Sequence, residues 1–271
     1  MTSIRVGLVA LFLALAGSAF AQAPATTSGA YDHDSVHIAL THVTALSQDN
    51  AEGLLDHPRQ VRLVFSDQDV PIGALYEAVF PPVRDMAKLG QVRGVMLEFD
   101  PADRTAVSIT PLVKPDDPSS TLATITRTNS EGLWRQLTVT ETTISGDYQD
   151  ADTGLRVTFS APLAVDAIVA DLKGPAAQSS APVRALIARA EAMRSGDLTA
   201  AAALTARSAS DGVKSMSPEE VKGLSAPLGE MIASLKRVPR VVIRQHSAVA
   251  LMGGGESANL LFEDGAWKVA D

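Results

Sequence analysis

Cysteine is absent from the 271-residue chain. That excludes a disulfide scaffold, a thiolate metal centre, a cysteine nucleophile and an iron–sulfur cluster. It also closes the lipid-anchoring route, which needs a cysteine at the processing site. Aromatic residues make up only 4%, with two tryptophans, Trp134 and Trp267, and no aromatic stripe for stacking bases or sugars. Positive charge is in deficit: 23 Lys+Arg stand against 31 Asp+Glu, a formal net charge of -8 and the wrong sign for a general nucleic-acid binder. After the N-terminal segment no apolar run approaches the roughly 20 residues that span a bilayer. The G-x-S-x-G nucleophile elbow is missing. "MGGGES" lacks the Lys-Ser/Thr of a phosphate loop and reads as a strand connection.

What is present begins with an address. Arg5 precedes an apolar run from Val6 to about Ala16, and small residues lead to Ala19-Phe20-Ala21. That pattern predicts a secretory signal over 1–21, cleaved after Ala21. With no second apolar run and no lipidation site, the expectation is a soluble periplasmic or secreted protein. An apolar share of 46% is ample for a packed core, so wholesale disorder is excluded.

The mature chain reads as α+β. Residues 22–31 suggest a flexible lead-in, and "KGPAAQSSAP" over 173–182 suggests a linker. Between them, 32–172 predicts an antiparallel sheet of about five strands carrying one or two helices. "VRLVF", "VRGVMLEFD" and "TAVSITPLV" supply strands, and Ile72, Leu75, Val79, Val83 and Met86 suggest a helix that Pro81-Pro82 must kink or break. The remaining segment, 183–271, predicts helices first and strands last. Val183, Leu186, Ile187, Ala190 and Met193 form a helical stripe, Asp197 can cap a second helix, and "SPEE" offers Ser217 and Glu220 as a capping box with Pro218 at the first position. Leu228, Met231, Ile232 and Leu235 share a face of a further helix. "RVVIRQHSAVALM", "SANLLF" and "AWKVA" then predict a three-stranded antiparallel meander, its second turn at Asp264-Gly265.

Gly196-Asp197 after the first of these helices, with the terminal Asp264-Gly265-x-Trp267-Lys268-Val269, resembles small exported members of the nuclear-transport-factor-two-like superfamily. The resemblance covers the last third of the chain. It implies a cone of helices held inside a curved sheet, in a superfamily of enzymes, ligand carriers and interaction modules.

Candidate chemistry is sparse. His33 and His37, flanked by Asp32 and Asp34, would share a helical face and could ligate a metal with a carboxylate. The alternation of Val36, Ile38 and Leu40 argues instead for a strand with His37 on the other side. His42 and His57 have no partner visible in sequence. Glu98, Glu131 and Glu141 read as solvated carboxylates. The acidic loop Val113–Pro118 lacks calcium-ligand spacing. If "RVVIRQHSAVALM" is one strand, His246 lies with Val242, Arg244 and Ala248. Val241, Ile243, Gln245, Ser247, Val249 and Leu251 then face the helices. Gln245, Ser247 and Asn259 are accordingly the candidate ligand-binding residues.

These readings lead to an exported, non-enzymatic module that binds a protein partner or a small apolar ligand, with no cofactor, metal or nucleic acid implied. Two alternatives remain: a cone-fold hydrolase or isomerase using His246 and Glu263 as acid and base, and a weak metal binder using His33 and His37.

Overall fold

The computed structural model describes residues 24–50, 59–76, 81–117 and 120–270. The signal-like segment, His57, Val79 and Pro118 lie outside the described residues. The fold is mixed α+β and dominated by antiparallel sheet.

The first part of the chain folds into ten strands and one short helix. They are β1 (Thr26–His33), β2 (Val36–Leu40), β3 (His42–Asp49), β4 (Arg59–Ser66), α1 (Val83–Lys88), β5 (Gly94–Phe99), β6 (Ala106–Leu112), β7 (Ile125–Thr128), β8 (Trp134–Val139), β9 (Thr143–Asp150) and β10 (Leu155–Asp166). This is twice the expected number of strands, and β10 serves two layers. Its first half pairs antiparallel with β1 and β9, and its last residues pair parallel with β3. One layer is therefore β2-β1-β10-β9-β8, and the other runs from β10 through β3, β4, β5 and β6 to β7.

Strand alternation explains the layering. In β10, Leu155, Val157, Phe159, Ala161 and Leu163 are buried while Arg156, Thr158 and Ser160 are exposed. The inward set meets Leu63, Phe65, Leu97 and Ile109 of the facing layer, with Phe65 and Phe159 in edge-to-face contact at 5.0 Å. Strands β3 to β6 are covered on their other side too. There Leu46, Val64, Met96 and Leu112 pack against Leu75, Val83, Ala87 and Leu122. The predicted helix across 72–86 is a 3₁₀ turn at Ile72–Leu75 and α1, and Pro82 immediately precedes α1.

The lead-in reading of 22–31 is overturned over its second half. Residues from Thr26 onward form β1, hydrogen-bonded on both sides, with Tyr31 in the core. Gly154, at φ 69°, permits the close approach of the β9–β10 turn to β1, since a Cβ there would stand 1.6 Å from the Asp32 carbonyl oxygen.

The second part begins one residue after β10. It comprises β11 (Ile168–Lys173), α2 (Pro175–Gln178), α3 (Ala181–Ser195), α4 (Leu198–Ala203), α5 (Ser210–Lys214), α6 (Pro218–Leu235), β12 (Arg240–Arg244), β13 (Ser247–Leu251), β14 (Ser257–Glu263) and β15 (Ala266–Val269). Residues 173–182 are thus not a linker. They hold the end of β11, α2 with a buried Ala177, and the start of α3. The seam between the two sheets falls instead at Asp166–Ala167.

A strand, not a helix, opens this part, and its sheet has five strands in the order β11-β12-β13-β14-β15 rather than three. Val183 and Leu186 of α3, Leu235 of α6 and Val238 cover one face, against Val241, Ala248, Ala250, Leu260 and Val269. A second apolar cluster joins α3, α4, α5 and α6 through Ala190, Met193, Ala201, Val213, Leu228 and Ile232. Met231, expected on that face, is 40% exposed.

Local signals acted where they were expected. Asp197 accepts the Ala200 N–H at the start of α4, and Ser217 and Glu220 form a complete capping box on α6. Asp264 and Gly265 take φ values of 51° and 77° in the β14–β15 turn.

Candidate functional site

The polar groups concentrate at two places, the seam between the sheets and the helical layer. At the seam, β10 ends on Asp166, which is fully buried. Its carboxylate accepts the His246 backbone N–H at 2.8 Å, the Ser247 hydroxyl at 2.5 Å and the Gln48 side-chain amide at 3.3 Å. The same Gln48 amide donates to the Tyr76 carbonyl at 2.7 Å. The His246 ring stacks on Tyr76 with centroids 4.7 Å apart and planes inclined by 14°. Burial, and then the Asp166 charge, push the Tyr76 hydroxyl above its ordinary pKa. Beside them the buried Arg244 guanidinium donates to the Asp49 carbonyl at 2.6 Å.

This arrangement overturns the single-strand reading of 240–252. Strand β12 ends at Arg244 and β13 begins at Ser247, so Gln245 and His246 are a turn. The turn reverses the parity of everything after it. Val241, Ile243, Ala248 and Ala250 face the helices, while Ser247 points to Asp166. Of the three candidate ligand-binding residues, Gln245 is exposed, Ser247 is occupied at the seam, and Asn259 is buried on β14 opposite Val249. Ser247 and Asn259 share one face of the sheet, and Gln245 stands apart from them between the two strands.

Serine, histidine and aspartate meet here, but not as a nucleophilic triad. In a triad the imidazole stands between hydroxyl and carboxylate. Here Ser247 donates directly to Asp166, and His246 contributes its backbone N–H and a ring face. Glu263, the proposed partner of His246, accepts the Arg207 N–H at 3.0 Å. What the seam does chemically is hold two sheets together with charge-assisted hydrogen bonds.

Other charged groups are likewise engaged inside the chain. Arg62, 1% exposed, bonds Glu98 with its Nε at 2.8 Å, so Glu98 is not the solvated carboxylate expected. Asp150 pairs with Arg127 at 2.8 Å. Burial pushes its carboxyl up, yet the Arg127 and Thr153 side-chain bonds and the Thr153 and Asp152 backbone N–H groups outweigh burial and hold it below the usual carboxylate range. The nearby Tyr148 hydroxyl is pushed well up by burial and the Asp150 charge.

His33 and His37 lie on β1 and β2, with Asp34 at φ 51° in the turn between them. The His37 ring pairs with Asp32, whose carboxyl is thereby lowered, so these residues form a strand pair rather than a helical face. Ile38 and Leu40 are buried as the alternation predicts. Among the described residues no group of three or more histidine, aspartate or glutamate side chains could hold a metal ion. No helix among them is long and apolar enough to cross a membrane. Trp134 packs against Phe99 and Tyr148, and Trp267 against Phe262, as ordinary strand aromatics do.

The helical layer differs. Between the C-terminal end of α3 and the first two turns of α6 lies an open cleft of about 360 Å³. Leu198, Met216 and the buried Val221 floor it, and Leu198 and Met216 pack against the second apolar cluster. Arg194, Ser195, Lys222 and Ser225 stand exposed around it. Gly196, in a left-handed conformation at φ 80°, ends α3 without adding a side chain, and the capping box fixes the start of α6. Sequence reasoning located each helix end but not this cleft, because no motif marks where two helix ends will meet.

No protein-family model matches the chain, and neither does any curated protein or solved structure.

Proposed function

We propose that this chain is an exported, soluble, non-enzymatic binding module of the cell envelope, and that its ligand is small and largely apolar. One observation carries the reading: the α3–α6 cleft is concave, apolar at its floor, polar at its rim and of ligand size. The seam supports it from the other side. The polar groups that catalysis would need are already committed to one another there, and Glu263 is committed to Arg207.

We extend the resemblance to nuclear-transport-factor-two-like cones as part of the same proposal. Helices stacked on one face of an antiparallel meander support it, and the cleft lies in the gap between those helices. Export rests on the N-terminal pattern alone.

Two measurements test this. Sequencing the protein recovered from the periplasm or medium should give Gln22 as the first residue; an intact Met1 on membrane-bound protein would remove the export reading. Thermal-shift screening of the chain from Gln22 onward should find stabilisers among small apolar molecules. Ser225→Trp, which fills the cleft from an exposed position, should abolish the stabilisation without lowering the unliganded melting temperature. Stabilisation that survives Ser225→Trp would locate binding elsewhere.

A further inference from the structure

Resting on that cleft as the binding site, we infer that its ligand is a short single-chain amphiphile with an anionic head, a carboxylate on an alkyl tail. The floor is purely aliphatic and thioether in character, from Leu198, Met216 and Val221, and it opens onto buried apolar side chains. That surface rewards a flexible hydrocarbon, and methionine adapts readily to irregular tails.

The rim carries the second half of the argument. Arg194 closes the last turn of α3 and Lys222 sits in the second turn of α6, on opposite banks of one opening. Neither makes an ion pair or side-chain hydrogen bond with another described residue. Arg62, Arg127, Arg207, Arg240 and Lys214 each have a carboxylate partner, while other exposed cations such as Lys114, Arg135 and Lys236 have none among the described residues. What sets Arg194 and Lys222 apart is that both line the same apolar cleft, in a chain of net charge -8.

The acidic residues nearest in sequence make no ion pair with them: Glu191 is exposed on α3, and Asp197 accepts the Ala200 N–H. Glu220 is turned back onto the Ser217 N–H by the capping box, and Glu219 lies on the exposed start of α6. A carboxylate head between Arg194 and Lys222 would receive charge-assisted hydrogen bonds from both, while Ser225 offers a neutral donor beside it.

Isothermal titration of the chain from Gln22 onward with octanoate, 1-octanol and octylammonium separates the contributions, since tail length is constant and head charge varies. Octanoate should bind about tenfold tighter than 1-octanol, the worth of a charged hydrogen bond, and octylammonium more weakly than either. In the double variant Arg194→Gln, Lys222→Gln the octanoate preference should fall to about one, with alcohol binding unchanged. In the unsubstituted protein it should also shrink near 1 M salt, where the screening length is about 3 Å. Equal or tighter binding of 1-octanol by the unsubstituted protein would overturn the head-group inference and leave the cleft reading standing. Failure of all three probes, or undiminished binding by Ser225→Trp, would bring down the cleft reading and this inference with it.

Discussion

The seam and the cleft spend their polar groups in opposite ways. Asp166 is fully buried and gives its carboxylate to three donors of its own chain, from β3, β13 and the β12–β13 turn. Arg194 and Lys222 are exposed and make no ion pair or side-chain hydrogen bond with another described residue. A buried ion left unsatisfied is expensive, so the seam had to be closed internally. An exposed cation is cheap to leave open, and it stays available to an external anion. The buried polar cluster at the seam is therefore mortar, and the exposed one at the cleft is the place to look for binding.

The largest test of that comparison is Asp166→Ala. It strands the His246 N–H, the Ser247 hydroxyl and one Gln48 bond in a dry site, and should cost ~3–5 kcal/mol in urea unfolding. Asp166→Asn keeps an acceptor oxygen and should cost visibly less. A loss below ~1 kcal/mol for the alanine variant would mean that the seam does not hold the sheets together.

A second test uses acid. The folded carboxyl of Asp150 lies below its ordinary value, so the stability it supplies is complete above the unfolded pKa of about 4 and disappears as pH falls through the folded value. Urea midpoints should drop as the pH falls below about 4, and the drop should flatten in Asp150→Asn. An identical pH profile in the two proteins would remove Arg127–Asp150 from the list of internally spent charges.

The cleft should respond more mildly. Ser217→Ala removes the cap at its lip and should cost ~1 kcal/mol, read from the thermal midpoint. Arg194→Gln and Lys222→Gln should each leave stability within ~0.5 kcal/mol, as exposed, unpaired residues do. A large destabilisation in either would show that the cation works for the fold, and the contrast with the seam would close.

Parts of the candidate site were legible before the fold was known, and parts were not. The helix stop at Gly196, the Asp197 cap and the Ser217–Glu220 box were readable because each involves residues at most four apart. The turn at Gln245-His246 was not. It has no glycine, proline, asparagine or aspartate and needs no positive φ, so the alternation of 240–251 continues through it unbroken. The reversal is held from outside, by Asp166 on the His246 N–H and by the Ala167 carbonyl on the Gln245 N–H at 3.0 Å. For the same reason Gln245 parts from Ser247 and Asn259, which keep a common sheet face. Grouping the three assumed a continuous strand, and one two-residue turn exchanges the faces of every residue that follows.

By itself the amino-acid order determined an α+β chain with strand alternation through β10, capped helices and an Asp-Gly hairpin at its end. Those features follow from propensities and hydrogen bonds that act over a single turn. Only the tertiary structure decided that β10 would serve two layers, that residues 26–31 and 173–182 would be ordered elements, and that two helix ends would enclose a cleft. Such outcomes depend on groups tens of residues apart competing for the same buried space, and no local pattern encodes that competition.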